Sequence, residues 1–440
     1  MKLAGWGRFP VSECRVEAAR CEADVLALAG NGDVIARGNG RAYGDSAANP
    51  RCTIDMRKMN RMIAFDTATG QLAAEAGVLL GDVIDTFLPR GWFPAVTPGT
   101  KFVSLGGAIA ADVHGKNHHK HGSFGSFVDW IEICGADGQV RRCSRSENTE
   151  LFAWTLGGMG LTGVILRAAF RLRRVASGWI RQTLIPAADL DAAMDIFEAS
   201  QDATYSVAWI DCLARGRSQG RSLVMLGEHA LVAELPRHRH SSPYDTGNRR
   251  ARSLPVDVPR MLLNPLTVEA FNDLYYWYGK RKVGHSLVDW DSYFYPLDAI
   301  LQWNRIYGKR GFAQFQCVLP LEASKSGLAA LLSAIAADGG GSFLAVLKRF
   351  GAQEGKFSFP MPGYTLALDF PVSARNLTLL EELDAIVLAH GGRFYLAKDS
   401  RMSRETFHRS EPRSDDFIKF RGNGEMQQQF RSAQSDRLGL

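Results

Sequence analysis

Through the first 175 or so residues, apolar positions come in short runs separated by glycine, spaced for strands rather than helices. The runs at 33–36, 52–56, 71–76, 128–134 and 163–172 read as strands, and only 80–88 and 149–156 keep a helical spacing. That mixture predicts an α+β unit. From about 179 the texture lengthens: strand-like runs at 205–211, 312–319, 342–348 and 365–370 alternate with helical stretches at 190–199, 321–337 and 377–390. A second unit, with helices covering a sheet, follows. Within it, 236–259 is rich in His, Arg, Ser and Pro with little apolar periodicity, and reads as a mobile loop or lid.

The composition agrees with two units: 440 residues, 46% of them hydrophobic, exceed one ordinary domain and supply two packed cores. The net charge is +6, but Lys and Arg are scattered, which argues against a nucleic-acid face and leaves a mild attraction for anionic substrates or lipid head groups. The seven cysteines are odd in number, widely spaced and without CxxC pairs, so they read as reduced core residues rather than a disulfide frame or zinc site. No basic-then-apolar leader and no apolar run near ~18 residues is present, which places the expected location in the cytoplasm.

Three glycine loops carry the candidate chemistry. The first is Arg37, Gly38, Asn39, Gly40, Arg41, Ala42, Tyr43 and Gly44, directly after a strand; such glycines free backbone N–H groups to approach a pyrophosphate. A Rossmann loop would have to open a helix, and the following Ser46-Ala-Ala-Asn-Pro-Arg51 has no helical stripe. The second runs from Pro98, Gly99 and Thr100 through Ser104, Gly106, Gly107, Ala108, Ala111 and Asp112 to His114, Asn117, Gly122, Ser123, Phe124 and Gly125, with small residues that let backbone pack against a cofactor. Its four histidines alternate with Lys116 and Lys120, which put cations where a divalent ion would sit, so no metal is expected. The third, with Gly160 and Gly163, leads into the strand at Val164. Together they form a backbone-lined groove suited to an extended dinucleotide.

These loops, with Gly5-Trp-Gly-Arg8, Tyr295-Pro-Leu-Asp298, Trp303-Asn-Arg-Ile-Tyr-Gly308, Phe357-Ser-Phe-Pro-Met-Pro362 and Tyr395-Leu-Ala-Lys-Asp-Ser-Arg401, closely resemble the decaprenylphosphoryl-β-D-ribose 2′-oxidase family, within the vanillyl-alcohol-oxidase type of FAD-linked oxidases. The resemblance spans nearly the whole chain. It implies an α+β fold of two domains: an FAD-binding domain over 1–178, a substrate domain over 179–417 whose helix-covered antiparallel sheet lies over the isoalloxazine, and a tail, 418–440, returning to the first domain. FAD would be non-covalent, because no His or Cys stands near Tyr43, where relatives attach it. The loop residues named above, with Tyr395 and Lys398, would hold FAD. By the same resemblance His114 and Lys116 lie by flavin and substrate, Tyr43 borders the pocket, Gln314, Gln316 and Lys348 project over the ring, and Lys398 reaches the flavin edge. The spacing of Gln314 and Gln316 independently puts both on one strand face.

The implied reaction is oxidation of the 2′-OH of a polyprenyl-phosphoryl-β-D-ribose to the 2-keto sugar, the first half of an epimerisation towards an arabinose donor for cell-envelope glycan. The implied partners are this lipid-linked phospho-sugar, quinone or oxygen as electron acceptor, a short-chain reductase completing the epimerisation, and peripheral contact with the inner membrane face. Arg237, His238, Arg239, His240, Arg249, Arg250 and Arg252 suit an anionic surface. The chain departs from the family at Thr365 and Ala367, where relatives carry Asn and Cys, and at Asn423, where they carry Lys. Those departures keep two other readings open: a free alditol or aldonolactone oxidase, and a flavin-binding but catalytically silent partner protein.

Overall fold

The computed structural model describes residues 1–247, 252–258, 265–340, 342, 344–422 and 426–440. Asn423, Arg249 and Arg250 lie outside the described residues. Near the N-terminus Thr53–Asp55 runs between Val16–Ala18 and Ile35–Arg37, parallel to both. The crossover from Ile35–Arg37 to Thr53–Asp55 contains the first glycine loop and no helix. A dinucleotide fold of the Rossmann kind needs a helix there.

A mainly antiparallel six-stranded sheet follows, in the order Val140–Ser144, Val128–Cys134, Val164–Arg174, Gln71–Glu75 and Met62–Asp66, with Trp92–Pro94 pairing the far end of Val164–Arg174. Leu72, Ile131 and Phe170 from this sheet pack with Val83 of the helix Leu80–Phe87 and Ile109 of the helix Leu105–Ala110. Each such side chain, fully removed from water, is worth about 1.5–3 kcal/mol.

The second half forms an eight-stranded antiparallel sheet, ordered Gly284–Asp289, Trp179–Ala187, Ser222–His229, Tyr205–Ile210, Val346–Phe350, Gly363–Pro371, Phe312–Pro320 and Arg393–Phe394. The pleat gives its faces opposite characters. Phe315, Cys317, Leu347, Leu366 and Leu368 point into a core with the helices Leu190–Ala199, Leu321–Asp338 and Ala374–Ala389. Gln314, Gln316, Val346, Lys348, Thr365 and Ala367 take the opposite face and line a cavity. One alternation therefore builds both the core and one wall of the site.

Two expectations need correction. The segment 236–259 is not a loose lid where it is described: Arg239 lies 3.7 Å over Trp179, Tyr244 donates to the Val175 carbonyl at 3.2 Å, Arg252–Ser253 pairs with Ile300–Leu301, and Asp257 bonds Arg8 at 2.5 Å. Cation–π stacking and main-chain pairing replace the apolar periodicity that the sequence lacks. Six cysteines are buried and unpaired, but Cys21 is exposed, because it stands at the N-cap of the helix Glu22–Ala29 rather than in a core.

The last residues pack beneath the first glycine loop. Val34 and Phe430 form a parallel bridge, the Ala433 amide donates to Ala48 at 2.8 Å, and Arg437 reaches Asp45 at 2.8 Å and Asp399 at 2.9 Å. No helix among the described residues is long and apolar enough to cross a membrane.

Candidate active site

The glycine loops and the polar face of the eight-stranded sheet enclose a cavity of about 300 Å³. Its loop wall is built by close backbone approach. A Cβ on Gly38 would stand 1.9 Å from Ser104 Oγ, which caps the helix Leu105–Ala110 by accepting from the Gly107 amide; one on Gly44 would stand 2.1 Å from the Asp399 carbonyl. Gly40 has φ +63°, a conformation that glycine adopts without steric cost. Arg37 donates to Ala4 and Ala47 carbonyls at 2.7 and 3.2 Å, and Asn39 to the Phe102 carbonyl at 2.9 Å, tying the first loop to its surroundings. The N–H groups of Gly38, Asn39, Gly40 and Arg41 make no hydrogen bond among the described residues.

Most of the residues singled out from sequence meet here: Arg37, Gly38, Asn39, Gly40, Arg41, Ala42, Tyr43, Gly44, Pro98, Gly99, Thr100, Ser104, Gly106, Gly107, Ala111, His114, Gly160, Gly163, Gln314, Gln316, Lys348, Tyr395 and Lys398 all line the cavity. Others stand behind it. Buried Asp112 accepts from Ser123 Oγ at 2.6 Å, the Gly125 amide at 2.7 Å and Gln353 Nε2 at 2.9 Å, and also from Ser358 Oγ, so it knots the second loop to the second half of the chain. Gly122, with φ +72°, turns the chain into that knot. Ala108, Phe124 and Val164 belong to the cores, and Asn117 donates to the Ala95 carbonyl at 2.8 Å. Lys116 turns from the cavity: its ammonium donates to the Tyr293 carbonyl and lies 4.1 Å over the Tyr293 ring. The histidines near it part company as well, His118 bonding Gln353 at 2.6 Å and His119 the Ala203 carbonyl at 2.8 Å.

At one end of the cavity the polar groups form a directed chain. Thr365 Oγ donates to the Cys317 carbonyl at 2.7 Å, so toward Gln316, 3.2 Å away, the hydroxyl is an acceptor. That turns the Gln316 amide nitrogen toward both Thr365 and His114 Nε2, the latter at 3.1 Å. His114 is therefore the Nδ1–H tautomer, with Nε2 accepting, and Nδ1 is a buried donor with no partner among the described residues. Burial, reinforced by the charges of Lys348, His118 and Lys398, holds the imidazole well below its ordinary pKa, so it is neutral at pH 7. The rings of Phe350, Phe359 and Tyr395 fix its plane at centroid distances of 4.8, 5.7 and 5.0 Å.

Two lysines face the same space. Burial pushes Lys348 down to about 8. Lys398 is also lowered by burial, against the opposing pull of Asp369, and its ammonium stands 3.7 Å over the Tyr43 ring. Asp369 is raised by burial while accepting from Gln314 Nε2 at 2.5 Å and Tyr307 at 3.4 Å. Near Tyr43, Arg41 is sandwiched by Trp6 at 4.1 Å and Phe102 at 4.9 Å, its Nε without a partner among the described residues, and Asp298 accepts from Thr100 at 2.8 Å and from the Lys101 amide at 2.8 Å. Asp298, Asp369, Trp6 and Trp303 were not singled out as site residues. For Asp369 the signal was present: an acid in the largely apolar strand Gly363–Pro371, paired in register with Gln314.

Loop amides, Arg41 Nε and His114 Nδ1 that have no partner among the described residues, glycines that admit no side chain, and aromatic walls fit a long ligand carrying phosphates at one part and a flat ring at another. The FAD binding domain model matches residues 16–144. The decaprenylphosphoryl-beta-D-ribose oxidase of Mycolicibacterium smegmatis is 36% identical over 451 residues, covering 100% of this chain and 97% of that protein. The chain belongs to the decaprenylphosphoryl-β-D-ribose oxidase family. An uncharacterized protein of Streptomyces coelicolor is 34% identical over 376 residues, 82% of this chain and 100% of that protein. The L-gulonolactone oxidase of Bos taurus is 32% identical over 165 residues, 37% of each chain. As a member of the decaprenylphosphoryl-β-D-ribose oxidase family, the protein is an FAD-dependent oxidoreductase with a vanillyl-alcohol-oxidase type FAD domain.

Proposed function

We propose that the protein oxidises the 2′-hydroxyl of a polyprenyl-phosphoryl-β-D-ribose to the 2-keto sugar, as the first half of an epimerisation completed by a separate reductase. The full-length similarity to a decaprenylphosphoryl-beta-D-ribose oxidase carries this reading. The cavity supports it by bringing Lys348, Lys398 and neutral His114 into one lining, a setting for an anionic, hydroxyl-rich ligand.

FAD, when bound, supplies the hydride acceptor. The amides of Gly38, Asn39, Gly40 and Arg41 would hold its phosphates, and the small residues Gly99, Gly106 and Gly107 would let the cofactor approach the cavity wall without covalent attachment. His114 donates through Nδ1 and orients the reacting hydroxyl, with Gln316 fixing the ring from the other side. Lys348, pushed down to about 8 by burial, would take the hydroxyl proton when in its unprotonated form. Lys398, also lowered by burial and facing Asp369, would lie at the flavin edge, where its protonated form would favour negative charge. Lys116, turned toward Tyr293, does not touch substrate in this reading. Residues 1–178 form the FAD-binding domain, 179–417 the substrate domain, and 418–440 the tail that braces the first loop; quinone or oxygen would serve as the electron acceptor.

A free alditol or aldonolactone oxidase is the second reading, favoured by the partial similarity to L-gulonolactone oxidase and by Thr365 and Ala367 in the pocket wall. Anaerobic mixing with polyprenyl-phosphoryl ribose, free ribose, alditols and aldonolactones decides. Bleaching of the flavin band by the lipid-linked sugar alone is the expected result. Bleaching by a free polyol instead establishes the second reading, and bleaching by none refutes both in favour of a silent flavoprotein.

A further inference from the structure

The helix Pro265–Gly279 is held firmly and faces the wrong way for a helix covering a sheet. Its inner side is pinned: Val268 and Asn272 are buried, Asn272 donates to Asp211 at 2.7 Å, Tyr276 donates to the Ala187 carbonyl at 3.0 Å, and a Cβ on Gly279 would meet Leu223 at 2.3 Å. At 3.6 residues per turn the outward side collects Leu266, Phe271, Leu274, Trp277 and Tyr278, while Tyr275 turns inward onto Trp209, 4.8 Å away. Leu266, Leu274 and Trp277 are 77%, 63% and 50% exposed, far beyond the scattered single apolar residues of an ordinary surface.

Charge around this face is sorted. Its acids, Glu269 and Asp273, sit together on one flank, and Asp273 is paired to Arg221. Directly after the helix come Lys280, Arg281 and Lys282, all exposed, which lie over its aromatic rings: Arg281 is 3.2 Å from the Trp277 ring and Lys282 4.4 Å from that of Tyr278. Apolar and aromatic residues in one plane, rimmed by cations, match the boundary between acyl chains and anionic head groups.

We propose that the helix Pro265–Gly279, with Lys280, Arg281 and Lys282, is a docking surface for an anionic lipid bilayer, on which the helix lies flat without crossing. The surface stands independently of the substrate proposed above. The test uses the full-length FAD-loaded protein in co-sedimentation with vesicles of phosphatidylglycerol and phosphatidylcholine in equal parts, and with phosphatidylcholine alone. Sedimentation with the anionic vesicles only is expected. Leu274→Glu with Trp277→Glu should abolish it, and Lys280→Ala, Arg281→Ala and Lys282→Ala together should weaken it on the order of a hundredfold; unchanged flavin absorbance in each variant reports an intact fold. Equal sedimentation of wild type with both vesicles, full sedimentation of either variant, or a dimer in analytical ultracentrifugation that the Leu274 and Trp277 changes disrupt without any vesicle binding would each overturn the proposal.

Discussion

Replacing Thr365 by Val isolates the chain that fixes His114. Valine keeps the shape of the side chain and removes the hydroxyl, so packing between the cavity and the core stays as it is. Two hydrogen bonds go: the one to the Cys317 carbonyl at 2.7 Å and the one from Gln316 at 3.2 Å. At about 1 kcal/mol each the loss is roughly 2 kcal/mol, a drop of a few degrees in Tm. The larger effect is on orientation. Without an acceptor at 365 the Gln316 amide is free to turn its oxygen to His114, which moves the proton from Nδ1 to Nε2 and leaves the cavity side without its donor. One misdirected hydrogen bond of about 1.4 kcal/mol corresponds to a tenfold slower flavin reduction. Nitrogen-15 shifts of the histidine ring in the FAD-loaded variant report the tautomer, and stopped-flow absorbance reports the rate. Thr365→Ser should restore both. A Thr365→Val protein that keeps the Nδ1–H tautomer and the wild-type rate would refute the reasoning.

His114→Ala should retain FAD, because the loop amides remain, yet lose most turnover; full activity in that variant removes His114 from the site. Lys348→Met in the apoprotein should raise Tm at neutral pH. The folded pKa of about 8 lies below the ordinary lysine value, so burying the charged form costs stability below pH 8, and the cost fades as pH rises from 8 towards 10.5; a pH-independent gain in Tm contradicts this. Arg437→Met strands the buried carboxylates Asp45 and Asp399, at a cost of about 3–5 kcal/mol, and should release FAD at lower denaturant concentration than wild type; an unchanged denaturant midpoint argues against the brace. Ala367→Cys should create a thiol in the cavity that peptide mapping finds labelled by a maleimide in the apoprotein, while Cys317, buried and pushed up to about 12, stays unlabelled.

The sequence pattern shows most where a strand has one apolar face and one polar face. Gln314 and Gln316 alternate with Phe315 and Cys317, so both their strand and their direction were legible. The strands Trp179–Ala187, Ser222–His229 and Gly284–Asp289 were not: their half-buried faces mix Arg, Gln, His and Ser with apolar residues, and pairing partners far along the chain define them. The helix Pro265–Gly279 escaped for the opposite reason, since its apolar residues cover nearly the whole circumference and blur the period. In the site, glycines at close backbone approaches were legible as a set. The turning of Lys116 toward Tyr293 was not, because a cation–π contact between residues so distant in sequence leaves no local trace.

The brace beneath the first glycine loop sets an order of events during synthesis. Asp45 waits for a partner, Arg437, 392 positions later. At roughly 5–20 residues per second, that interval is about 20–80 s. Throughout it the loop that carries Gly38 to Gly44 is outside the ribosome without its floor, so on the proposed role of that loop FAD capture would follow closure of the chain onto its own beginning.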